Sequence, residues 1–161
     1  MLKDRGLQDQ TVRTRLEERL VSVGVEANRV VFLPPEADWS DHVDLYNVID
    51  VALDTTPWSS ATTAFEALAM GVPLVAIKGD RMSSRMSSSV VAGLGRPEWA
   101  TETPEQFADR VATLCRDIPQ LRAGKAERQQ QMLASSLFDG ADLARQVEDA
   151  LLAMACGKVP S

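Results

Sequence analysis

The chain has few of the residues that build metal sites and disulfide frameworks. Among its 161 residues there are one histidine and two cysteines, and aromatic residues make up only 5%. A zinc site needs several imidazole or thiolate ligands, so this composition argues against one, and we predict no metal. The two cysteines, Cys115 and Cys156, stand far apart in the sequence. We expect them to be reduced thiols rather than a disulfide.

The chain also lacks a basic excess and a long hydrophobic run. Its formal net charge is −6, so it has no surplus of cations to neutralise phosphates, and we expect no nucleic-acid partner. No apolar run approaches the roughly 20 residues of a membrane helix, and the first residues lack the apolar stretch of a signal peptide. We therefore expect no membrane association and a cytoplasmic location.

The most informative stretch is the segment from Thr62 to Ala76. Two threonines open an apolar helix, Gly71 stands where a helix end needs a left-handed residue, and a buried strand follows Pro73. Upstream, residues 50–54 form another short apolar strand, so the order is strand, loop, helix, strand. This is the pattern of a parallel βαβ unit, in which the free N–H groups of the helix start can bind an anion.

The rest of the chain fits the same architecture. Periodic apolar positions predict helices over residues 9–23, 62–70, 81–92, 104–116, 118–135 and 139–154, a short helix after Ser40, and strands over 29–33, 50–54 and 74–77. The predicted fold is α/β: a Rossmann-like three-layer α/β/α sandwich with a parallel sheet and C-terminal helices. We expect one domain over residues 1–161. Its first strand is apparently missing, because only Met1 to Lys3 could supply a remnant.

Several of these motifs occur together in a known family. They are Asp50-Val-Ala-Leu-Asp-Thr55, Trp58-Ser-Ser-Ala-Thr-Thr-Ala-Phe-Glu-Ala-Leu-Ala-Met-Gly-Val-Pro73, and Gly79-Asp80-Arg81. The segment from Val31 to about Leu94 resembles the donor-binding lobe of the protein O-GlcNAc transferases and their bacterial homologues, which are two-lobed GT-B glycosyltransferases. The resemblance covers nearly the whole chain but only about the last third of a family enzyme's catalytic region.

The resemblance implies a site for UDP-GlcNAc, a nucleotide sugar, with no metal and no other cofactor. Thr62 and Thr63 match the threonines that hold the pyrophosphate, and Glu66 matches the acidic residue that receives the ribose hydroxyls. His42 matches a histidine that lines the uridine pocket. We also consider Trp58 as a pocket wall, and Arg81 and Arg85 as phosphate contacts.

The chain departs from the family at positions near this site. Ala61 stands where some members have a histidine before the threonine pair, and Met82 follows Gly79-Asp80-Arg81 where relatives often carry histidine. The family lysine that touches the diphosphate appears here as Trp39 or Ser40. A lost charge-assisted contact costs roughly 1.5–3 kcal/mol, so we expect weak nucleotide binding. With no second lobe in the sequence, we expect no transfer activity from this chain alone.

Simpler interpretations of these residues stay open. The threonine pair could be a helix cap, Glu66 could only complement the helix dipole, and His42 could be an ordinary core or surface histidine. The two arginines could form a solvated face. The serines at 83, 84, 87, 88 and 89 could bind a ligand or simply allow close helix packing, and Asp54 could touch ligand or shape the loop that follows it.

Two functions follow from the sequence. In the first, the chain is a truncated or split lobe that binds the UDP part of UDP-GlcNAc, in an enzyme that transfers GlcNAc to protein Ser or Thr. A missing N-terminal lobe would then complete it. In the second, it is a non-catalytic interaction or assembly module derived from a glycosyltransferase. An unpaired sheet edge would favour a homodimer in that case.

Overall fold

The computed structural model describes residues 1–34 and 38–157. In the described ranges, short parallel strands alternate with helices along the chain. The contacts between residues group the chain into two compact units, residues 1–45 and residues 46–161. The predicted α/β class with parallel strand pairing is confirmed.

The first unit contains a small parallel βαβ element. Strand β1 (Leu2–Lys3) pairs with β2 (Phe32–Leu33), and helix α1 (Gln10–Ser22) connects them, followed later by α2 (Trp39–Asp44). The Asp9 carboxylate caps α1 by accepting from the backbone N–H groups of its first turn, and these bonds hold the pKa of Asp9 below its usual value. The strand remnant that the sequence indicated at the N-terminus is therefore a two-residue strand.

The second unit contains a three-stranded parallel sheet in the order β3-β4-β5. Its elements are β3 (Ala52–Asp54), α3 (Thr62–Ala69), β4 (Leu74–Ile77), α4 (Met86–Gly93), β5 (Ala100–Thr101) and α5 (Pro104–Leu114). Leu53 pairs with Val75 across the first ladder, and Ala76 pairs with Ala100 across the second. The sequence did not predict β5, because a two-residue strand is too short to show periodicity.

Three further helices complete this unit: α6 (Ile118–Ala123), α7 (Lys125–Leu133) and α8 (Gly140–Ala155). The single predicted helix over 118–135 is wrong, because the chain ends α6 and begins α7 at Gly124. The guanidinium of Arg128 donates to the carbonyl of Leu121, so a side chain of the second helix caps the first.

The core of the second unit lies around its central strand. Leu74, Val75 and Ala76 are at most 1% exposed, and Ala67 and Leu68 of α3 bury their side chains in the same unit. The apolar run of β4 is the sequence signature of a strand covered on both faces. In the described part of the chain, no helix is both long and apolar enough to cross a bilayer.

Candidate functional site

The start of helix α3 is uncapped by any side chain. The helix begins at Thr62, and its N-cap residue is Ala61, which has no side chain able to accept a hydrogen bond. The N–H groups of Ala64 and Phe65 both donate to the carbonyl of Ala61, at 3.0 and 3.2 Å. The backbone N–H groups of Thr62 and Thr63 therefore lie at the exposed helix start, where an anion is stabilised by donors and dipole together.

The interpretation of the threonine pair as a helix cap is wrong. Both threonines lie inside the helix as its first two residues, and Ala61 occupies the cap position. A histidine at position 61 would add a side chain beside the helix start, whereas alanine leaves this end to the backbone and the two hydroxyls. The departure at Ala61 thus removes one polar side chain from the site without blocking the helix start.

A buried carboxylate fixes the loop that leads into α3. Asp54, at the carboxyl end of β3, is 7% exposed and accepts from Ser59 Oγ at 3.1 Å and from Ser60 N at 2.9 Å. Ser87 Oγ on α4 donates to the same carboxylate. A buried charge is tolerated when several donors satisfy it, and here those donors tie the loop to a neighbouring helix. Asp54 therefore shapes the loop that carries Ala61.

The serines of α4 serve packing rather than a ligand face. Ser87 is fully buried, and its backbone N–H donates to Ser59 Oγ at 2.9 Å. Ser84 and Ser88 are also buried, and their small side chains let this segment pack closely. Ser89 is exposed and donates to the carbonyl of Arg85 at 3.1 Å. The packing interpretation accounts for the buried positions, which a ligand could not reach.

Glu66 lies in the second turn of α3 and is partly exposed. Its Oε2 accepts a hydrogen bond from the hydroxyl of Tyr46 at 3.1 Å. Tyr46 is 5% exposed, and its burial, together with the charge of Glu66 and this bond, raises the pKa of its phenol above the ordinary value. The phenol therefore stays protonated and remains a donor to the carboxylate.

His42 lies on α2 in the first unit and is partly exposed. Its Nδ1 lies 2.6 Å from the ammonium of Lys3. Because an ammonium group can only donate, Nδ1 is the acceptor, and a neutral imidazole then carries its proton on Nε2. The ring of Trp39 packs against it at a centroid distance of 5.5 Å. His42 is thus oriented by a cation and an aromatic ring.

The three additional candidates are exposed. Trp58 lies in the loop before α3 and is 71% exposed. Arg81 precedes a 3₁₀ turn (Met82–Ser84), and Arg85 precedes α4. The predicted continuous helix over 81–92 is therefore wrong, because the chain turns at Ser84, whose Oγ lies 3.2 Å from the N–H of Arg81. The two arginines do not share one helical face.

The structure brings together the candidates that belong to α3: Ala61, Thr62, Thr63 and Glu66 lie along its first two turns. His42 belongs to the other compact unit. Sequence reasoning missed the contact between Tyr46 and Glu66 and the bonds of Asp54 with Ser59 and Ser87. It does predict, as one of two alternatives, that Asp54 shapes the loop. The sequence offers one signal for Tyr46: the single tyrosine of the chain lies among apolar residues, which favours burial of its ring.

A cavity of about 400 Å³ lies at the opposite, amino ends of β3 and β4. Three cations line it, but each is bonded to the protein. Arg122 pairs with Asp50 at 2.7 Å, Lys125 donates to the carbonyl of Tyr46 at 2.6 Å, and Arg128 donates to that of Gly71 at 2.9 Å. These cations bond α6 and α7 to the segments that precede β3 and β4, so we assign the cavity a structural role.

No metal site is found in the part of the chain that the structure describes. Within residues 1–34 and 38–157, no three side chains of His, Cys, Asp or Glu are grouped so that they could share an ion. The chemistry at the start of α3 comes from backbone N–H groups, hydroxyls and one carboxylate. Such a set can bind a phosphate and a diol at neighbouring points.

Comparisons with known proteins show that the chain is similar to glycosyltransferases. The model of glycosyl transferase family 41 matches residues 10–147. A probable UDP-N-acetylglucosamine–peptide N-acetylglucosaminyltransferase SPINDLY of Solanum lycopersicum is 30% identical over 155 residues, which are 94% of this chain and 17% of that protein. The corresponding transferase of Caenorhabditis elegans is 29% identical over 131 residues, or 81% of this chain and 11% of that protein.

A solved structure is similar over nearly the whole chain. It is a mutant of the O-GlcNAc transferase of Thermobaculum terrenum, with a TM-score of 0.81 and 36% sequence identity. The similarity covers 93% of this chain and 29% of that one. This chain therefore spans less than a third of the length of each of these three relatives.

Proposed function

The chain belongs to glycosyl transferase family 41, and from this premise we propose that it is the donor-binding part of a transferase that uses UDP-GlcNAc and glycosylates Ser or Thr of proteins. Two of the relatives described above are named as UDP-N-acetylglucosamine–peptide N-acetylglucosaminyltransferases, the tomato protein as a probable one. The same chemistry is available at the start of α3, where donors for an anion and a carboxylate for a diol lie on one helix end.

The uncapped helix start carries this proposal. Because Ala61 cannot cap α3, the N–H groups of Thr62 and Thr63 remain for the diphosphate, and their hydroxyls add two further donors. The loop in front is held by the buried Asp54, so these donors need little reorganisation when an anion arrives. A negative group at this position also interacts favourably with the helix dipole.

Glu66 and His42 have complementary roles in the proposal. The carboxylate of Glu66, one helical turn further along α3, accepts from the ribose hydroxyls. His42, in the first unit, is a candidate for contact with the base, and the bond from Lys3 to its Nδ1 orients the ring. Trp58, Arg81 and Arg85 are exposed and are secondary candidates for contacts with the donor.

In the complete enzyme the reaction is a direct displacement at the anomeric carbon. The hydroxyl oxygen of an acceptor Ser or Thr forms a bond to the anomeric carbon and releases its proton to the surrounding water. The bond from that carbon to the diphosphate breaks, UDP leaves, and the configuration inverts. The helix start stabilises the negative charge that develops on the leaving diphosphate. Since this chain spans 17% of one relative and 29% of another, we propose that transfer requires further protein and that this chain alone only binds the donor.

A titration of the purified chain with UDP tests the proposal. We expect saturable binding, measured by calorimetry or NMR. In the NMR titration, the chemical-shift changes should be centred on Thr62, Thr63 and Glu66. Thr63→Val and Glu66→Ala should each weaken binding about tenfold, since each removes a hydrogen bond to a charged or polyhydroxyl group, while the fold stays intact. Thr113→Val is the matched control, because Thr113 is also exposed and helical but lies on α5.

Two results would contradict the proposal. One is the absence of binding at millimolar UDP, which would favour a non-catalytic module. The other is an unchanged affinity in both Thr63→Val and Glu66→Ala, which would place the nucleotide elsewhere on the chain.

A further inference from the structure

We propose that Tyr46 is a positioning residue for Glu66, and that it sets how strongly the site distinguishes a ribonucleoside diphosphate from its 2′-deoxy form. The inference rests on the proposed function, in which Glu66 receives the ribose hydroxyls. It adds a second residue, buried beneath the site, that acts only through this carboxylate.

Both the ring and the backbone of Tyr46 are fixed by contacts with the protein. It lies in a 3₁₀ turn (Leu45–Val48) and is 5% exposed, with its ring in the same buried cluster as Ala64, Ala67 and Leu68 of α3. Its carbonyl accepts from the ammonium of Lys125 at 2.6 Å. Because the ring and the backbone are both fixed, the phenol hydroxyl has a defined position beneath the helix.

The hydroxyl donates to Glu66 rather than accepting from it. Burial first, and then the nearby negative charge, raise the pKa of Tyr46 and keep its proton in place. Glu66 Oε2 is the acceptor at 3.1 Å. A hydrogen bond to a charged acceptor is stronger than one between neutral groups, so the bond favours one orientation of the carboxylate.

This orientation matters because a glutamate side chain is flexible. A free glutamate loses rotamer freedom when it binds a ligand, whereas one already held in place loses less. A carboxylate accepts about four hydrogen bonds, so a bond from a phenol and bonds from a diol can coexist on one carboxylate. Tyr46 therefore contributes to ribose binding without touching the ribose.

The test compares UDP with 2′-deoxy-UDP, using calorimetry on the whole chain. The wild type should bind UDP more tightly, because Glu66 accepts from a hydroxyl that the deoxy ligand lacks. In Tyr46→Phe, we expect UDP affinity to fall about fivefold and 2′-deoxy-UDP affinity to fall less, so that the ratio of the two affinities shrinks. A purely structural role would lower both affinities equally.

Thr101→Val is the matched control. Thr101 is buried, like Tyr46, and its hydroxyl donates to a backbone carbonyl, that of Ala76, at 2.9 Å. The substitution removes one buried hydroxyl of the same kind without contact to Glu66. We expect a loss of stability similar to that of Tyr46→Phe and an unchanged ratio of UDP to 2′-deoxy-UDP affinity.

A double-mutant cycle isolates the path through Glu66. In a Glu66→Ala background, Tyr46→Phe should have no further effect on UDP affinity, because the group it positions is gone. An equal effect of Tyr46→Phe in both backgrounds overturns the inference. A wild-type chain that does not bind UDP overturns the proposed function instead, and an unchanged affinity ratio in a folded Tyr46→Phe overturns the inference alone.

A measurement on the wild type covers the case in which Tyr46→Phe does not fold. The chain has a single tyrosine, so a label at its phenol carbon gives one NMR signal. Saturating UDP should move this signal, and 2′-deoxy-UDP should move it less. A signal that does not respond to UDP, in a chain that binds it, contradicts the inference.

Discussion

Replacing Gly71 by alanine should cost far more stability than the same change at Gly95, although both glycines end a helix in the same way. Gly71 has φ +71° and Gly95 has φ +78°. After α3, the N–H groups of Gly71 and Val72 donate to the carbonyls of Leu68 and Ala67, both at 2.9 Å. The residues after α4 repeat the pattern, which is the Schellman motif.

The surroundings of the two glycines differ. A Cβ at Gly71 would lie 2.2 Å from the carbonyl oxygen of Lys125, at the start of α7, whereas a Cβ at Gly95 would meet nothing within 4 Å. The guanidinium of Arg128 also donates to the carbonyl of Gly71 at 2.9 Å, so α7 is bonded to this loop. A side chain at Gly71 must therefore push two backbone segments apart.

The magnitudes follow from these contacts. Gly95→Ala should cost about 1–2 kcal/mol, the penalty of an L-residue in the left-handed region. Gly71→Ala carries the same penalty plus about 1–3 kcal/mol for overpacking, so the difference between the variants should be near 2 kcal/mol. Effects of alanine on the unfolded chain are common to both substitutions and cancel in the comparison.

Urea unfolding of the wild type and both variants measures this difference. With an m-value of about 2 kcal/mol per molar urea, 2 kcal/mol moves the unfolding midpoint by about 1 M. Equal midpoints for Gly71→Ala and Gly95→Ala would contradict this prediction and would mean that α7 is free to move away from Gly71. Because α7 packs on α3, such freedom would also weaken the argument that the start of α3 is held rigidly.

Two further predictions concern ionisation. Glu66→Gln should lower the pKa of Tyr46, because the charge of Glu66 is gone, but burial should keep this pKa above the ordinary value of about 10. A pH titration followed by the absorbance of the single tyrosine measures this pKa. An unchanged pKa would contradict the contact between Tyr46 and Glu66. The bond from Arg122 lowers the pKa of Asp50. The contribution of this ion pair to the stability of the fold should therefore be present above about pH 4 and disappear as the pH falls through the lowered pKa. Unfolding midpoints of the wild type and Arg122→Gln should therefore differ at neutral pH and converge in acid, and a constant difference would contradict this.

Local patterns were enough to find most elements and the centre of the candidate site. The strand at residues 74–77 and the helix that begins at Thr62 are confirmed, because a buried apolar run and a helix-ending Gly-Val-Pro are signals within a few residues of each other. Strand β5 and the helix break at Gly124 were missed. Strand β5 depends on a contact with a distant part of the chain, the pairing of Thr101 with Ile77.

The roles of buried polar residues could not be predicted from spacing. Asp54 meets Ser59 five positions away but Ser87 thirty-three positions away. Nothing in the sequence distance between Asp54 and Ser87 indicates that they touch. The same holds for Tyr46 and Glu66, which lie twenty positions apart.

The family, the α/β class and the helix start at Thr62 follow from motifs and periodicity that the chain carries locally. The cap position of Ala61, the bonds of Asp54 to the loop and the place of Tyr46 beneath Glu66 depend on how the elements pack. Burial explains this difference. A carboxylate or a phenol removed from water must find its partner wherever the fold brings one, and that partner is set by packing between elements rather than by the order of residues.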